Sequence, residues 1–252
     1  MSKQAPLSKQ APSRPPDILF FVATPGERRA VWAVCRAAFA RLTLTGVGPV
    51  NAARAARATL AALPDGCRPL VAVVGLGGAL APPLSVGDVV LGLGALALDG
   101  SRYPACPAAT AHLAARLTAA GVTAHRADHL TAAYVVCRAA EKRRLHAQTG
   151  AWAVDMESHA IAQSARRHGL PLLLLRVISD DARHDLPDLN AGFDAEYRVR
   201  PLGMAGLLAT HPVASARFLS NLRRALMELR RVARVGFAND SECAPDAPRQ
   251  AT

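Results

Sequence analysis

The stretch Leu172-Leu173-Leu174-Leu175-Arg176-Val177-Ile178-Ser179-Asp180 joins a long apolar run to two polar residues at its end. Apolar runs of this length are typical of strands that are buried on both faces of a parallel sheet. Ligands of such sheets bind beyond the carboxyl ends of the strands. Ser179 and Asp180 are therefore candidate functional residues, and an N-cap for the following segment is the structural alternative.

Apolar runs and helical patterns alternate along the rest of the chain. The predicted strands cover residues 18–23, 41–45, 70–74, 89–93, 130–136, 151–154 and 172–178, and the predicted helices cover 27–39, 50–60, 108–120, 139–148, 156–168 and 213–235. This alternation predicts a single α/β domain with a mostly parallel central sheet flanked by helices. We expect the domain to cover residues 17–238, after a flexible arm (1–16) and before a disordered tail (239–252).

The sequence carries a net charge of +11, almost all of it from arginine, because only Lys3, Lys9 and Lys142 are lysines. A basic chain can attract nucleic acid, anionic lipid or phosphorylated substrates. No basic run is interleaved with aromatic residues, so a nucleic-acid partner is not expected. The simpler explanation of the charge is a GC-rich coding sequence, which produces many alanines and arginines and few lysines.

The five cysteines stand far apart in the sequence and form no Cys-x-x-Cys pair. This spacing argues against a zinc site and against a disulfide framework. We therefore expect reduced thiols, no metal, no organic cofactor and a cytoplasmic location. The first 16 residues lack the apolar run of a signal peptide, which agrees with that location.

Two glycine-rich segments, Gly46-Val47-Gly48 and Gly75-Leu76-Gly77-Gly78, follow predicted strands. Glycines at such places let backbone N–H groups approach an anion or a sugar closely. Tight turns are the simpler alternative. Neither segment continues as G-x-G-x-x-G and neither is a P-loop, so an NAD-dependent oxidoreductase is disfavoured.

Acidic residues stand at two predicted strand-to-helix junctions. Asp155-Met156-Glu157 precedes one helix, and Glu27 opens another. The helix dipole favours carboxylates at both places, which is the structural alternative. The functional alternative is that Glu157 accepts hydrogen bonds from the two neighbouring hydroxyls of a ribose.

The final predicted helix combines an apolar stripe with several arginines. The stripe consists of Phe218, Leu219, Leu222, Leu226 and Leu229, and the arginines are Arg217, Arg223, Arg224, Arg230 and Arg231. Such a helix can lie on an anionic membrane surface. A helix that packs on the core and exposes its polar face is the more common arrangement.

Taken together and in order, these motifs resemble the nucleoside phosphorylase-I family, most closely its methylthioadenosine/S-adenosylhomocysteine nucleosidase branch. The most specific part is the stretch from Val154 to Ala162, followed by Arg176-Val177-Ile178-Ser179-Asp180. The two glycine segments, Glu27 and Val86-Gly87-Asp88 fit the same pattern. The resemblance covers almost all of residues 17–235 and implies a nucleoside phosphorylase-like fold.

The resemblance also implies an enzyme that cleaves the N-glycosidic bond of a purine nucleoside. It implies that Asp180 is the general acid at N7 of the purine, that Ser179 orients Asp180, and that Glu27 activates water. For this role Asp180 has to stay protonated near neutral pH, which burial favours. The implied substrate contacts are Met156 and Glu157 at the ribose, Leu76, Gly77 and Gly78 beside the ribose and any phosphate, and Tyr134 or Val135 at the base.

Residues 155–160, the loop 181–187 and the arginine-rich last helix resemble one sub-branch, the hopanoid-associated phosphorylases. That resemblance implies an adenosyl-lipid substrate, with adenine released from adenosylhopane, and peripheral contact with the inner face of the membrane. Water and phosphate both stay open as the nucleophile, with phosphate as the co-substrate in the second case. The family resemblance further implies a homo-oligomer, a dimer or larger. A non-catalytic nucleoside- or lipid-binding protein of the same fold is the remaining alternative.

Overall fold

The computed structural model describes residues 17–37 and 40–237, and this part of the chain contains eight strands and seven α-helices. The strands are β1 (Ile18–Val22), β2 (Ala40–Leu44), β3 (Leu70–Ala79), β4 (Val89–Ala97), β5 (Arg102–Pro104), β6 (Ala124–Thr131), β7 (Ala153–Asp155) and β8 (Leu172–Asp180). The helices are α1 (Pro25–Ala37), α2 (Pro49–Ala61), α3 (Pro107–Ala119), α4 (Ala139–Thr149), α5 (Ser158–Arg167), α6 (Pro201–Thr210) and α7 (Pro212–Phe237), and a short 3₁₀ helix covers Leu189–Gly192. The predicted arm (1–16) and tail (239–252) lie outside the described residues.

All eight strands join one sheet, in which β8 pairs with β3 on one side and with β4 on the other. Five of the pairings are parallel and three are antiparallel. The pairings from β3 through β8, β4, β6 and β7 lead back to β3, so this part of the sheet closes into a ring. The predicted single α/β domain with a mostly parallel sheet is confirmed, and the three antiparallel pairings make the sheet a mixed one. One cause is the tight turn at Gly100, which has a φ of 84° and makes β5 run back along β4.

The strand β8 sends alternate side chains into two separate hydrophobic clusters. Leu173, Leu175 and Val177 pack with α1, α3 and α7 on one face of the sheet. Leu172 and Leu174 pack with α2 and α5 on the other face. Both faces of β8 are therefore covered, as the continuous apolar run in its sequence predicts.

The segment Gly75-Leu76-Gly77-Gly78 lies inside β3, whereas the sequence predicted that it follows the strand. A Cβ atom at Gly75 would overlap with the carboxylate of Glu27 and the guanidinium of Arg176. A Cβ atom at Gly78 would stand 2.9 Å from Oδ2 of Asp180. The strand needs glycine at both positions because charged side chains pack directly against its backbone.

Three other predictions of secondary structure differ from the structure. β6 ends at Thr131, whereas the sequence predicted a strand up to residue 136. The 3₁₀ helix Leu189–Gly192 lies in a segment that was predicted as a polar loop. α6 was not predicted, because it has almost no amphipathic pattern and buries none of its residues.

The final helix α7 packs on the core, which was the simpler of its two interpretations. Leu229 and Val232 are fully buried between the sheet and the neighbouring helices. Phe218, Leu222 and Leu226 lie further toward its N-terminus and line a cavity. Within residues 17–37 and 40–237, no helix is long and apolar enough to cross a membrane.

Replacing a central side chain of β8 tests this description of the core. Leu174 has no exposed surface, so Leu174→Ala removes buried methyl groups and leaves a cavity. We expect the free energy of unfolding to fall by about 2–5 kcal/mol. Leu202→Ala is the control, because Leu202 is 90% exposed and its truncation should change stability by less than about 0.5 kcal/mol. Urea unfolding measures both, and equal losses would contradict the packing of β8.

Candidate active site

A cavity of about 400 Å³ lies beside the carboxyl ends of β1, β3, β7 and β8 and is partly covered by α7. Its lining includes all ten residues that the sequence singled out: Glu27, Leu76, Gly77, Gly78, Tyr134, Val135, Met156, Glu157, Ser179 and Asp180. The structure therefore brings the candidates together in one place, and the role of each stays a prediction. Residues that the sequence did not assign to the site supply an apolar part of the lining: Leu186, Leu189, Phe218, Leu222 and Leu226.

Glu27 lies at the start of α1 and has both carboxylate oxygens engaged. Its Oε2 accepts hydrogen bonds from the backbone N–H groups of Ala23 (2.9 Å) and Thr24 (2.8 Å), and its own N–H donates to Oγ1 of Thr24 (3.2 Å). This reciprocal pair is a capping box, so the structural alternative for Glu27 is realised. Its Oε1 accepts from the N–H of Leu76 on β3 at 2.7 Å. Glu27 thus starts a helix, joins that helix to the central sheet and lines the cavity.

Arg176 of β8 is a buried cation of the site, and the sequence interpretation gave it no role. Its Nε donates to Oδ2 of Asp155 at 3.0 Å, and its Nη2 lies 3.8 Å from Oε2 of Glu157. Burial alone would lower the pKa of Arg176, but the carboxylates of Asp155, Glu157 and Glu27 raise it. The guanidinium therefore stays charged and compensates three acidic groups. A single arginine inside an otherwise apolar strand was the signal that could have identified it.

Asp155 has a structural role in the site. Its Oδ1 accepts hydrogen bonds from the N–H groups of Glu157 (3.0 Å) and Ser158 (2.9 Å) at the start of α5, and from Oγ1 of Thr131 (2.9 Å). Burial would raise the pKa of Asp155, but the charge of Arg176, helped by His129, lowers it to about 2. Asp155 thus stays ionised, caps α5 and fixes Arg176.

Glu157 lines the cavity, and its Oε2 accepts a hydrogen bond from the N–H of Met156 at 3.3 Å. Its Oε1 accepts a hydrogen bond from the N–H of Gly48 at 2.9 Å. Gly48 adopts a φ of 92°, which glycine tolerates and other residues rarely adopt. The first glycine segment therefore directs an N–H group at a carboxylate of the protein itself. Burial raises the pKa of Glu157 to about 7, with a further contribution from the charges of Asp155 and Glu27.

Asp180 at the end of β8 lies between a hydroxyl and an ammonium group. Oγ of Ser179 lies 2.7 Å from Oδ1 of Asp180 and 3.2 Å from the carbonyl oxygen of Gly77. Nζ of Lys142 contacts Oδ2 of Asp180 and donates to the carbonyl oxygen of Asp181 at 2.9 Å. Lys142 projects from α4 and is completely buried. The sequence gave no sign of this contact, because Lys142 stands in a run of charged residues that is typical of a solvated helix.

The sequence interpretation of Asp180 relied on burial to keep this carboxyl protonated. Burial is confirmed, and the structure adds the ammonium group of Lys142 against Oδ2. The role of Asp180 as an acid stays a prediction.

Tyr134 and Val135 lie in the loop between β6 and α4, at the rim of the cavity. The hydroxyl of Tyr134 donates to Oε1 of Glu141 at 2.6 Å. The backbone N–H of Val135 donates to Oδ1 of Asn190, and Nδ2 of Asn190 donates back to the carbonyl oxygen of Val135, both at 2.9 Å. This two-bond contact attaches the 3₁₀ helix to the rim, and sequence reasoning missed it.

Four carboxylates line the cavity: Glu27, Asp155, Glu157 and Asp180. An α/β domain that gathers carboxylates at the ends of its strands, next to an apolar wall, has the construction of an enzyme that binds a small molecule. The chain belongs to the phosphorylase superfamily, because the model of that family matches residues 20–201. The family that the sequence motifs indicated is therefore confirmed.

Solved structures show the same fold. Futalosine hydrolase of Helicobacter pylori aligns with a TM-score of 0.60 at 16% identity, over 82% of this chain and 96% of that one. The 5′-methylthioadenosine/S-adenosylhomocysteine nucleosidase of H. pylori, in complex with butyl-thio-DADMe-Immucillin-A, aligns with a TM-score of 0.61 at 16% identity, over 82% and 97%. The corresponding nucleosidase of Neisseria meningitidis, in complex with methylthio-immucillin-A, gives 0.59 and 19%, over 82% and 98%. Among curated proteins, no sequence matches the chain significantly.

The raised pKa of Glu157 predicts a pH dependence of stability. Between its ordinary pKa of 4.5 and about 7, the folded protein holds a proton on Glu157 that the unfolded chain has released. The contribution of Glu157 to stability therefore falls as the pH rises through this window. Glu157→Gln cannot ionise, so we expect it to gain stability relative to the wild type from pH 5 to pH 7, by at most about 1.4 kcal/mol per pH unit.

Urea unfolding of both proteins at several pH values measures this difference. His129, whose pKa burial lowers to about 4, changes stability in the opposite direction between that value and 6.5. Both proteins retain His129, so its contribution cancels in the comparison. A stability difference that does not change with pH would contradict the burial of an ionisable Glu157.

Proposed function

We propose that the protein cleaves the N-glycosidic bond of an adenine nucleoside and releases the free base. The observation that carries this proposal is the placement of Asp180 and Glu157 in one cavity of a phosphorylase-superfamily domain. One carboxylate can hold the ribose while the other serves the leaving base. The named nucleosidases with the same fold, two of them bound to immucillin compounds, support the assignment.

The chemistry of the bond accounts for these residue types. Breaking an N-glycosidic bond builds positive charge on the ribose and negative charge on the departing purine. A proton delivered to N7 neutralises the purine, and general acid catalysis of this kind contributes typically about 10²–10⁴-fold. In this proposal Asp180 delivers the proton, Ser179 orients Asp180, and Glu157 with Met156 fixes the ribose for attack.

Water is the nucleophile that the cavity favours. Phosphate carries up to two negative charges, which neighbouring carboxylates repel unless basic side chains offset them. Among the described residues that line the cavity there are four carboxylates and no lysine, arginine or histidine. Glu27 would accept the proton of the attacking water. Phosphorolysis, with phosphate as co-substrate, is the alternative that the sequence left open.

The apolar part of the lining supports an apolar group at the 5′ position of the ribose. Phe218 lines the cavity and belongs to a hydrophobic cluster that Met204 and Leu207 of α6 extend outward. Leu202 of α6 and Val213 at the start of α7 are exposed beyond that cluster. We propose an adenosyl-lipid substrate such as adenosylhopane, with α6 in peripheral contact with the membrane. Methylthioadenosine or S-adenosylhomocysteine is the second candidate, favoured by the names of the structural neighbours.

Substrate assays with and without phosphate separate these candidates. Purified protein is incubated with methylthioadenosine, S-adenosylhomocysteine and adenosylhopane, and adenine, the free sugar and the sugar 1-phosphate are quantified. We expect adenine and the free sugar in the absence of phosphate. Phosphate-dependent formation of the sugar 1-phosphate would establish phosphorolysis, and binding without any release of adenine would establish a non-catalytic binding protein. Homo-oligomerisation, cytoplasmic location and the absence of a cofactor stay predictions.

The role of Asp180 predicts the effect of an amide in its place. Asp180→Asn keeps the shape of the side chain but cannot deliver a carboxyl proton. We expect kcat to fall by roughly 100-fold or more. Steady-state release of adenine measures it, and Asp188→Asn, on the partly exposed loop after β8, serves as a control that should retain activity. Near-wild-type turnover of Asp180→Asn would rule out the acid role.

Glu27→Gln distinguishes water from phosphate as the nucleophile. The amide cannot accept a proton from water, so hydrolysis should stop, whereas a phosphate anion needs no such base and phosphorolysis should continue. Glu228→Gln on α7, which pairs with Arg231 at the protein surface, is the matched control. Thermal melts of both variants check the start of α1, because Glu27 also caps that helix. Loss of both activities in a folded Glu27→Gln protein would contradict its assignment as the base for water.

A further inference from the structure

Lys142 is the only lysine in the part of the chain that the structure describes, and it is completely buried. Its neighbours in α4, Arg143 and Arg144, are exposed. Burying an ammonium group costs several kcal/mol unless oxygen partners compensate it. Lys142 finds these partners at the cavity, in the carboxylate of Asp180 and the carbonyl oxygen of Asp181. The position of this charge is therefore tied to Asp180.

The two oxygens of Asp180 meet different donors. Oδ2 contacts the ammonium of Lys142, and Oδ1 lies next to the hydroxyl of Ser179. A hydroxyl has a single proton, so Ser179 donates either to Asp180 or to the carbonyl oxygen of Gly77. An alcohol is also a far weaker acid than an ammonium ion. Of the two donors, Lys142 is the one that can release a proton to Asp180.

The other ionisable groups near Lys142 do not replace it. Cys137 lies close enough to feel the charges of Asp188, Asp180 and Lys142, but burial raises the pKa of its thiol, which stays neutral. Asp185 accepts hydrogen bonds from Arg138 and from the backbone N–H of Ala139. Neither group is placed to give Asp180 a proton.

We propose that Lys142 supplies the proton that Asp180 delivers to the purine, an inference that rests on the proposed function. In the bound complex Lys142 is an ammonium ion and Asp180 a carboxylate. As the C1′–N9 bond breaks, its electron pair goes to the base, an N–H proton of Lys142 moves to the Asp180 carboxylate, and the Asp180 carboxyl group passes a proton to N7. Lys142 becomes a neutral amine and recovers a proton from solvent, while the nucleophilic water gives one up through Glu27. The sum is nucleoside and water converted to sugar and free base.

The effect of Lys142→Met distinguishes this proposal from the alternative that Asp180 acts as the acid without a proton from Lys142. If Asp180 needs no proton from Lys142, the Lys142→Met variant would keep or gain activity, because the neighbouring positive charge is gone. If Lys142 supplies the proton, the variant loses activity. Lys142→Arg adds a second distinction, because arginine keeps the positive charge but does not give up a proton in proteins. If Lys142 acts only through its charge, Lys142→Arg retains activity. If Lys142 supplies a proton, Lys142→Arg loses activity.

The experiment compares two leaving groups in the wild type, Lys142→Met, Lys142→Arg and the surface control Arg144→Met. Methylthioadenosine has a base that leaves with a proton, whereas 4-nitrophenyl β-D-ribofuranoside releases a stable anion that needs none. We expect both Lys142 variants to lose roughly 100-fold or more in kcat on methylthioadenosine. We expect their turnover of the nitrophenyl riboside to stay within about threefold of the wild type, which also shows that the cavity is folded.

Three results would overturn the supply of protons by Lys142. They are undiminished release of adenine by Lys142→Met, rescue of that release by Lys142→Arg, and an equal loss on both substrates. A wild-type protein that releases adenine from none of methylthioadenosine, S-adenosylhomocysteine and adenosylhopane would instead overturn the proposed function.

Discussion

The buried guanidinium of Arg176 is the charge on which the site depends. Asp155 and Glu157 come from one segment and Glu27 from another, and without a cation between them they would be mutually repelling buried carboxylates. Arg176 can lie there because β8 is central in the sheet and because the adjacent strand has glycine at position 75. Arg176 in β8 therefore depends on Gly75 in the adjacent strand β3.

The cavity combines an acidic region with an apolar one, and its two buried cations contribute from behind the lining. Arg176 and Lys142 each contact a carboxylate that lines the cavity, while neither is part of the lining. The carboxylates therefore border the cavity, and each cation holds a carboxylate in position. Such an arrangement suits the nucleoside with an apolar 5′ group that is proposed above.

The sequence predicted the α/β class, the central strand β8 and the ten residues that the structure places around one cavity. The class and the strand follow from patterns within one segment, such as a continuous apolar run that ends in Ser179-Asp180, whereas most of the ten residues were implied by the resemblance to a known family. The contacts that the sequence did not reveal join distant segments. Lys142 stands in a run of charged residues, and nothing local shows that its helix turns it toward Asp180. The two-bond contact between Asn190 and Val135 likewise depends on how the segment after β8 folds back on the rim.

The capping box between Thr24 and Glu27 limits how this protein can evolve. One carboxylate begins a helix, binds the central sheet through Leu76 and lines the cavity. A substitution at position 27 that changes the reaction therefore also removes contacts that stabilise the fold. Descendants of this sequence can change their ligand more freely through the apolar side chains of α7. A substitution there alters the shape of the cavity and leaves the contact between α1 and β3 intact.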